Sequence, residues 1–142
     1  MAAVRVFPCL CVDDLVRSLV FYRALLDLEV TVDVGWYAEV AGGGDGAATV
    51  AFVERGHRSV PPGFDADRGG VLVSVVVDDA STVHARAEAL HLDIVQELRD
   101  EEFGQRHFMV VDPDGFLVDV IETITPSVAF RRQLVVGRRR WR

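Results

Sequence analysis

The sequence contains no lysine, so all fifteen of its basic residues are arginine. This usage suggests a GC-rich, actinobacterial-like genome and says nothing about mechanism. Six of the arginines lie within residues 131–142, so residues 1–130 hold nine arginines against all 22 acidic residues, a net charge of −13. A body this acidic repels the phosphate backbone of nucleic acids and attracts cationic small molecules. We therefore expect no nucleic-acid ligand.

Long apolar runs and cysteine are also scarce. No stretch of about 18 apolar residues occurs, which predicts no membrane span. The first residues lack the charged start and apolar core of a signal peptide, which favours a cytoplasmic location. The two cysteines, Cys9 and Cys11, lie one residue apart, so on a strand they cannot form a relaxed disulfide. Without a second pair they are a weak zinc signal, and we expect reduced thiols in a core or cavity wall.

The hydrophobic pattern of the 142 residues divides one domain, 1–142, into two similar halves. A helix capped by Asp13 or Asp14 follows the first strand, and another follows Asp78-Asp79. The first helix is expected to bury Leu15, Leu19, Tyr22 and Leu26, and the second Val83, Ala87 and Leu90. Strands are predicted over 4–12, 28–34, 36–41 and 49–53, and again over 71–77, 94–98, 107–111 and 116–121.

Short sequence motifs of the first half of the chain recur in the second half. Val12-Asp13-Asp14 recurs as Val77-Asp78-Asp79, and the segment 26–30 recurs as 90–94, at offsets of 65 and 64 residues. This predicts a duplicated β-α-β-β-β unit, with module 1 at 4–54, module 2 at 70–124 and a linker at 55–69. The Arg-rich tail, 125–142, is either a solvated C-terminus or a contact for an anionic partner.

Two segments resemble the vicinal oxygen chelate superfamily, which includes glyoxalase I, extradiol dioxygenases, fosfomycin-resistance enzymes and bleomycin-resistance proteins. One runs from Val12-Asp13-Asp14 to Phe21-Tyr22, and the other from Phe103-Gly104-Gln105-Arg106 to Asp112-Pro113-Asp114-Gly115. The resemblance implies an α+β fold in which two βαβββ modules form a curved mixed sheet around a cavity. It also implies a homodimer. Two positions depart from the family pattern: Asp27 replaces a usual Gly, and Phe103 replaces a usual Trp.

The same resemblance places the metal ligands of the family's enzymes at Phe7, Ala51, Leu72 and Asp119. Three of these side chains offer no donor atom, and one carboxylate cannot hold a catalytic divalent ion alone. We therefore expect no metal and no cofactor, and the resemblance is nearest to the metal-free binders of the bleomycin-resistance type.

Eleven residues are candidates for ligand binding on the cavity wall, some placed there by strand alternation and others by the positions that the resemblance implies. They are Phe7, Cys9, Trp36, Glu39, Ala51, Leu72, Ser74, Phe103, His107, Met109 and Asp119.

Each polar or aromatic candidate has an ordinary alternative. Asp119 is either a counter-charge or base, or a partner of Arg106 or of water. His107 is either an acid–base group or a satisfied histidine. Only one of Trp36 and Tyr37 is expected to face the cavity. Trp36 either stacks on a ligand or packs at a dimer interface or at the rim. Glu39 either adds negative charge to the site or is solvated.

Some residues are assigned no part in the site. Glu101 and Glu102 are expected to lie in a solvated loop before the closing hairpin. His57, His84 and His91 are expected in loops or on helix surfaces.

The pattern as a whole favours a metal-free binding protein that sequesters a small hydrophobic, aromatic or cationic natural product, such as an antibiotic. Two alternatives remain open. One is a metal-free enzyme that uses Asp119 and His107 as acid–base groups on a small metabolite. The other is a lyase, isomerase or dioxygenase whose metal site, built from Asp119, His107, Glu39 or the cysteines, departs from the family pattern.

Overall fold

The computed structural model describes residues 1–44, 48–66 and 69–132. The first half contains β1 (Cys9–Val12), α1 (Leu15–Leu26), β2 (Glu29–Asp33), β3 (Tyr37–Gly42) and β4 (Ala48–Glu54). The second contains β5 (Leu72–Val76), α2 (Ala80–Ala89), β6 (Asp93–Glu101), β7 (Gln105–Val111) and β8 (Leu117–Thr123), followed by α3 (Val128–Arg131). The β-α-β-β-β order thus occurs twice, each time with a four-stranded sheet. The predicted two-module α+β fold is confirmed.

The first sheet has the strand order β1-β4-β3-β2. β1 runs parallel to β4, and the other neighbours are antiparallel. Helix α1 covers one face, where the ring of Tyr22 lies 5.0 Å from that of Phe52. The opposite face, which we call the open face of the first sheet, carries Cys9 and Glu39 in register on either side of Ala51. This register positions the residues of the candidate site.

The second sheet has the equivalent order, β5-β8-β7-β6. Its helix α2 contributes His84, whose ring packs edge-on against Phe108 with centroids 5.1 Å apart. Phe108 is fully buried on the helix side of β7. Because successive strand residues point to opposite faces, His107 lies on the other side, as predicted from the alternation.

The N-terminal caps of α1 and α2 show the same duplication. Asp14 and Asp79 cap the two helices, and each carboxylate accepts a hydrogen bond of 3.1 Å from the backbone three residues later. Just beyond the helices, Asp27 and His91 adopt left-handed backbone with φ of 53° and 54°. Glycine is the residue that takes this conformation without strain, which gives a physical reason for the family's usual Gly at position 27.

The described chain divides into two compact units. The first unit comprises Met1–Val73 and Val111–Val118, and the second comprises Ser74–Val110 and the chain from Asp119 onward. Within the first unit, the Asp-Pro-Asp-Gly turn is hydrogen-bonded both to α1 and to the residue before its N-cap. The hydroxyl of Tyr22 donates to Asp112 at 2.8 Å, and the backbone N–H of Asp13 donates to Asp114 at 2.9 Å.

Three local predictions were wrong, two of them in the first half of the chain. The first strand begins at Cys9 and not at residue 4, because its pairing with β4 begins at Cys9 and residues 4–6 are exposed. Along α1, Leu19 and Leu26 are only half-buried, and the buried positions include Ser18 and Leu25. Ser18 tolerates burial because its hydroxyl donates to the backbone carbonyl of Asp14.

Leu90 is also more exposed than predicted, because it caps the end of α2. No helix in the described ranges is long and apolar enough to cross a membrane. Two predicted features extend outside the described residues: the linker at 67–68 and the Arg-rich end of the tail at 133–142.

Candidate functional site

An apolar pocket lies beside the open face of the first sheet. Its volume is about 320 Å³, and it is lined by Cys9, Trp36, Tyr37, Val53, Ser59 and Val60. Trp36 immediately precedes β3, so strand alternation does not force its ring away from the side that Tyr37 occupies. The prediction that only one of these two rings could face a cavity was therefore wrong. The size and the apolar lining suit a small hydrophobic ligand.

The indole of Trp36 is held in place by a neighbouring ring. His57, in the segment after β4, stacks on it with ring centroids 3.8 Å apart and planes 3° apart. Trp36 still exposes 38% of its surface. A positioned and partly exposed indole is a suitable stacking surface for a planar molecule.

Glu39 is a charged residue in contact with Tyr37, which lines this pocket. Its carboxylate accepts a hydrogen bond of 2.6 Å from the hydroxyl of Tyr37, and its side chain is only 14% exposed. Loss of hydration, together with this hydrogen bond, raises the pKa of Tyr37 to about 12, so at neutral pH the phenol remains a donor. The alternative that Glu39 is solvated on the strand face is wrong, because Tyr37 and Arg5 contact its two oxygens.

A second groove of about 280 Å³ lies along β1 and includes both cysteines, Phe64 and Phe116. Cys9 and Cys11 do not form a disulfide with each other. Burial, followed by the neighbouring Cys11 and Glu39, raises the pKa of the Cys9 thiol. This thiol therefore stays protonated at neutral pH and behaves as a small apolar wall group.

Arg55 fixes the segment that borders this groove. Its guanidinium contacts the carboxylate of Asp13 at 2.7 Å and the backbone carbonyl of Cys11 at 3.3 Å. It also donates to the backbone carbonyl of Asp65. The groove wall is thereby attached to the end of β1.

In the second unit, His107 and Asp119 form a buried pair. The Nδ1 atom of His107 lies 2.8 Å from Oδ1 of Asp119, and the two residues expose only 4% and 7% of their surface. On the other side of the ring, Nε2 lies 3.1 Å from Glu101 and 3.2 Å from the amide of Gln96. Burial alone would lower the pKa of His107, but the hydrogen bonds to Glu101 and Asp119 outweigh it and the pKa is raised. Both ring nitrogens are engaged, as in a satisfied histidine.

Two sequence interpretations near this pair need correction, and one residue was missed. Arg106, the proposed alternative partner of Asp119, instead contacts Asp100 at 2.7 Å and Glu122 at 3.3 Å. Glu101 is the last residue of β6 and not part of a solvated loop, since β6 continues three residues beyond its predicted end. The sequence analysis missed Gln96. The alternation along β6 could have placed Gln96 on the face of the second sheet that carries His107.

The eleven predicted site residues fall into two groups. Phe7, Cys9, Trp36, Glu39 and Ala51 lie on or beside the first sheet, with Ala51 fully buried. In the second unit, the ring of Phe103 lies 6.2 Å from that of His107, and Asp119 is hydrogen-bonded to the same His107 ring. Met109 is half-buried two residues along β7 from His107, whereas Leu72 and Ser74 are exposed on β5.

A profile described as the Glyoxalase/Bleomycin resistance protein/Dioxygenase superfamily matches residues 4–120. The chain belongs to this superfamily. No curated protein matches the sequence of this superfamily member. Among solved structures, a protein of unknown function from Agrobacterium tumefaciens str. C58 is 26% identical, with a TM-score of 0.70 over 87% of this chain and 97% of that one.

Two further solved structures share the fold. TioX from Micromonospora sp. ML1 is 21% identical, with a TM-score of 0.68 over 86% of this chain and 100% of that one. A glyoxalase/bleomycin resistance protein/dioxygenase from Nocardioides is 19% identical, with a TM-score of 0.66 over 87% of this chain and 86% of that one. At these identities the likeness shows the architecture alone.

The positions that the resemblance assigns to the metal ligands of the superfamily's enzymes do not supply a set of donors in this chain. Phe7, Ala51 and Leu72 offer no donor, and the fourth position, Asp119, is engaged by His107. Within the described ranges, no group of three or more His, Cys, Asp or Glu side chains is placed to hold a metal ion. The carboxylates of Asp119 and Glu101 contact opposite nitrogens of the His107 ring, so the three side chains do not direct their donor atoms toward a single metal position.

The His107 cluster predicts that stability falls as pH rises. The pKa of His107 is raised above its ordinary value of 6.5, so its stabilising contribution is complete below that value and is lost as pH rises through the folded pKa. Urea unfolding from about pH 6 to pH 9 should show this loss in the wild type and in the control His57→Gln, but not in His107→Gln. Parallel profiles for all three proteins would contradict the prediction.

Proposed function

We propose that this superfamily member is a metal-free binding protein that sequesters a small, planar, hydrophobic or cationic molecule without transforming it. The observation that carries this proposal is the apolar pocket of the first unit, with the partly exposed indole of Trp36 at its rim. We also propose that the ligand is a natural product such as an antibiotic, that the protein is located in the cytoplasm and that it forms a homodimer. The acidic body supports the preference for cations.

The chemistry of the polar residues supports binding ahead of catalysis. An acid–base catalyst needs a ring nitrogen that can reach the substrate. Both nitrogens of His107 already have carboxylate partners, and Asp119 is hydrogen-bonded and buried. The thiol of Cys9 is held protonated, which disfavours it as a nucleophile.

Replacing Trp36 by alanine is expected to weaken the binding of a planar probe by about tenfold, the equivalent of one good aromatic contact. The probe is 9-aminoacridine, followed by fluorescence anisotropy because the variant lacks the indole itself. Trp36→Phe keeps a ring and should lose less affinity. Chromatography with mass detection after long incubation should return the probe unchanged.

Phe103→Ala provides a matched comparison, because Phe103 is a similarly exposed aromatic residue, at 44%, in the second unit. It should bind the probe as the wild type does. A loss of affinity in Phe103→Ala alone would place the ligand in the second unit and contradict the proposed site. A chemically altered probe would favour the enzyme alternative.

A further inference from the structure

The side chain of Arg5 occupies a position that suits an organic cation. Its guanidinium lies 4.4 Å from the centre of the Phe7 ring and 3.5 Å from a carboxylate oxygen of Glu39. A carboxylate beside an aromatic face is the combination that proteins use to recognise guanidinium and ammonium groups. In this structure the chain itself supplies the cation.

The carboxylate of Glu39 is fixed in a position to bind a cation. Tyr37 holds one carboxylate oxygen by its hydrogen bond, so the second oxygen, which Arg5 approaches, keeps a defined direction. The Glu39 side chain is 14% exposed, whereas that of Arg5 is 48% exposed. The carboxylate is therefore fixed in the fold and its cationic partner lies at the surface.

Arg5 can leave without disrupting the sheet. It precedes β1, which begins at Cys9, and it takes part in no strand pairing. An ion pair with a half-exposed arginine in contact with water is weak, so another cation can compete for its place. Departure of Arg5 would leave Glu39, Tyr37 and the ring of Phe7 as a vacant cation site.

This cation site adjoins the apolar pocket. Tyr37 belongs to both, because its ring lines the pocket and its hydroxyl holds Glu39. Cys9 also lines the pocket and lies in register with Glu39 across Ala51. A planar ligand seated in the pocket would thus have the Glu39 carboxylate near one edge.

We propose that Arg5 is an internal substitute for the cationic group of the ligand, and that a planar aromatic cation displaces it from Glu39 and Phe7 when it enters the pocket. This inference rests on the proposed binding function and adds the ligand's charge and the residue it competes with.

The test compares two probes of nearly the same shape, 9-aminoacridine, which is cationic at neutral pH, and acridine, which is neutral. Arg5→Gln should bind the cationic probe about fivefold more tightly than the wild type, because the competing guanidinium is gone, and acridine with unchanged affinity. Arg5→Lys retains the competing charge and should remain close to the wild type. Arg23→Gln, on α1 at the other face of the sheet, makes the same change in net charge and should have no effect.

Glu39→Gln tests the receiving carboxylate. The glutamine oxygen can still accept from Tyr37, so the local structure is retained while the charge is lost. The preference of the wild type and of Arg5→Gln for the cationic probe should disappear in this background, and acridine binding should persist. Circular dichroism of each variant confirms that the fold is intact.

The outcomes separate this inference from the proposed function. If acridine binds in a Trp36-dependent way but Arg5→Gln leaves the affinity for 9-aminoacridine unchanged, the proposed binding function of the pocket is supported and the proposed displacement of Arg5 is wrong. Equal gains in Arg5→Gln and Arg23→Gln would show a general charge effect and would also overturn it. If neither probe binds to the wild type or to Arg5→Gln, both proposals fail.

Discussion

Asp112→Ala is expected to destabilise the protein by about 4 kcal/mol, because a single buried carboxylate serves three donors. The carboxylate of Asp112 accepts hydrogen bonds from the hydroxyl of Tyr22 at 2.8 Å, and from the backbone N–H groups of Asp114 and Phe116 at 2.9 and 2.8 Å. Asp112 and Tyr22 are buried, so alanine leaves donors that water cannot readily reach. Each such donor costs about 1–3 kcal/mol.

The full sum is not expected, because burial raises the pKa of Asp112 and removal of the carboxylate relieves part of that cost. Urea unfolding at constant pH measures the difference from the midpoint and the slope. Asp112→Asn keeps an acceptor for both backbone groups and should lose about half as much, and Tyr22→Phe should lose about 1–2 kcal/mol. A loss below about 1 kcal/mol in Asp112→Ala would show that the turn does not depend on this carboxylate.

Gly104→Ala is expected to cost about 3 kcal/mol, which is the combined effect of backbone strain and overpacking. Gly104 has a φ of +93°, a conformation that residues with a side chain rarely adopt. A Cβ atom at this position would also lie 2.9 Å from the backbone oxygen of Ile124 and 2.9 Å from Pro126. The backbone cannot yield easily, because Gly104 and Ile124 are joined by a hydrogen bond of 3.0 Å.

Gly115→Ala is the matched control for Gly104→Ala. Gly115 has a similar φ of +88°, but nothing lies within 4 Å of the added Cβ. It should show the strain alone, about 1 kcal/mol. Thermal unfolding of both variants at one pH measures the difference, and equal losses would show that the contacts with Ile124 and Pro126 are not limiting.

Much of the fold is predictable because it depends on local chemistry. The aspartate pairs before the apolar-periodic segments predict where the two helices begin, with Asp13 or Asp14 as the first cap, and the structure shows that Asp14 and Asp79 are the capping residues. The repeated letters indicate two equivalent modules, and the paired left-handed positions at Asp27 and His91 show the same repeat in the backbone. The predicted first strand is too long because its register with β4 begins at Cys9, and residues 4–7 belong to no strand of the described chain.

The candidate site is less predictable because its partners come from distant parts of the chain. The sequence singles out His107 and Asp119 separately, but it offers Arg106 as the partner of Asp119, and the contribution of Glu101 depends on where β6 ends. Strand alternation separates Trp36 from Tyr37, yet it does not apply one residue before β3 begins. The contacts of the Arg5 and His57 side chains leave no periodic signal at all.

The sequence by itself determined the duplicated α+β architecture, which follows from periodicity, capping chemistry and side-chain identity, all properties of single residues and their near neighbours. Its motifs also carry the superfamily resemblance, and the expectation that Phe7, Ala51 and Leu72 leave no metal site rests on that resemblance. The tertiary structure decided which groups meet: the pocket beside Trp36, the cation held by Glu39 and the carboxylates on either side of His107. Such contacts depend on strand register and segment paths set by the packing of the whole unit, so sequence spacing does not encode them in readable form.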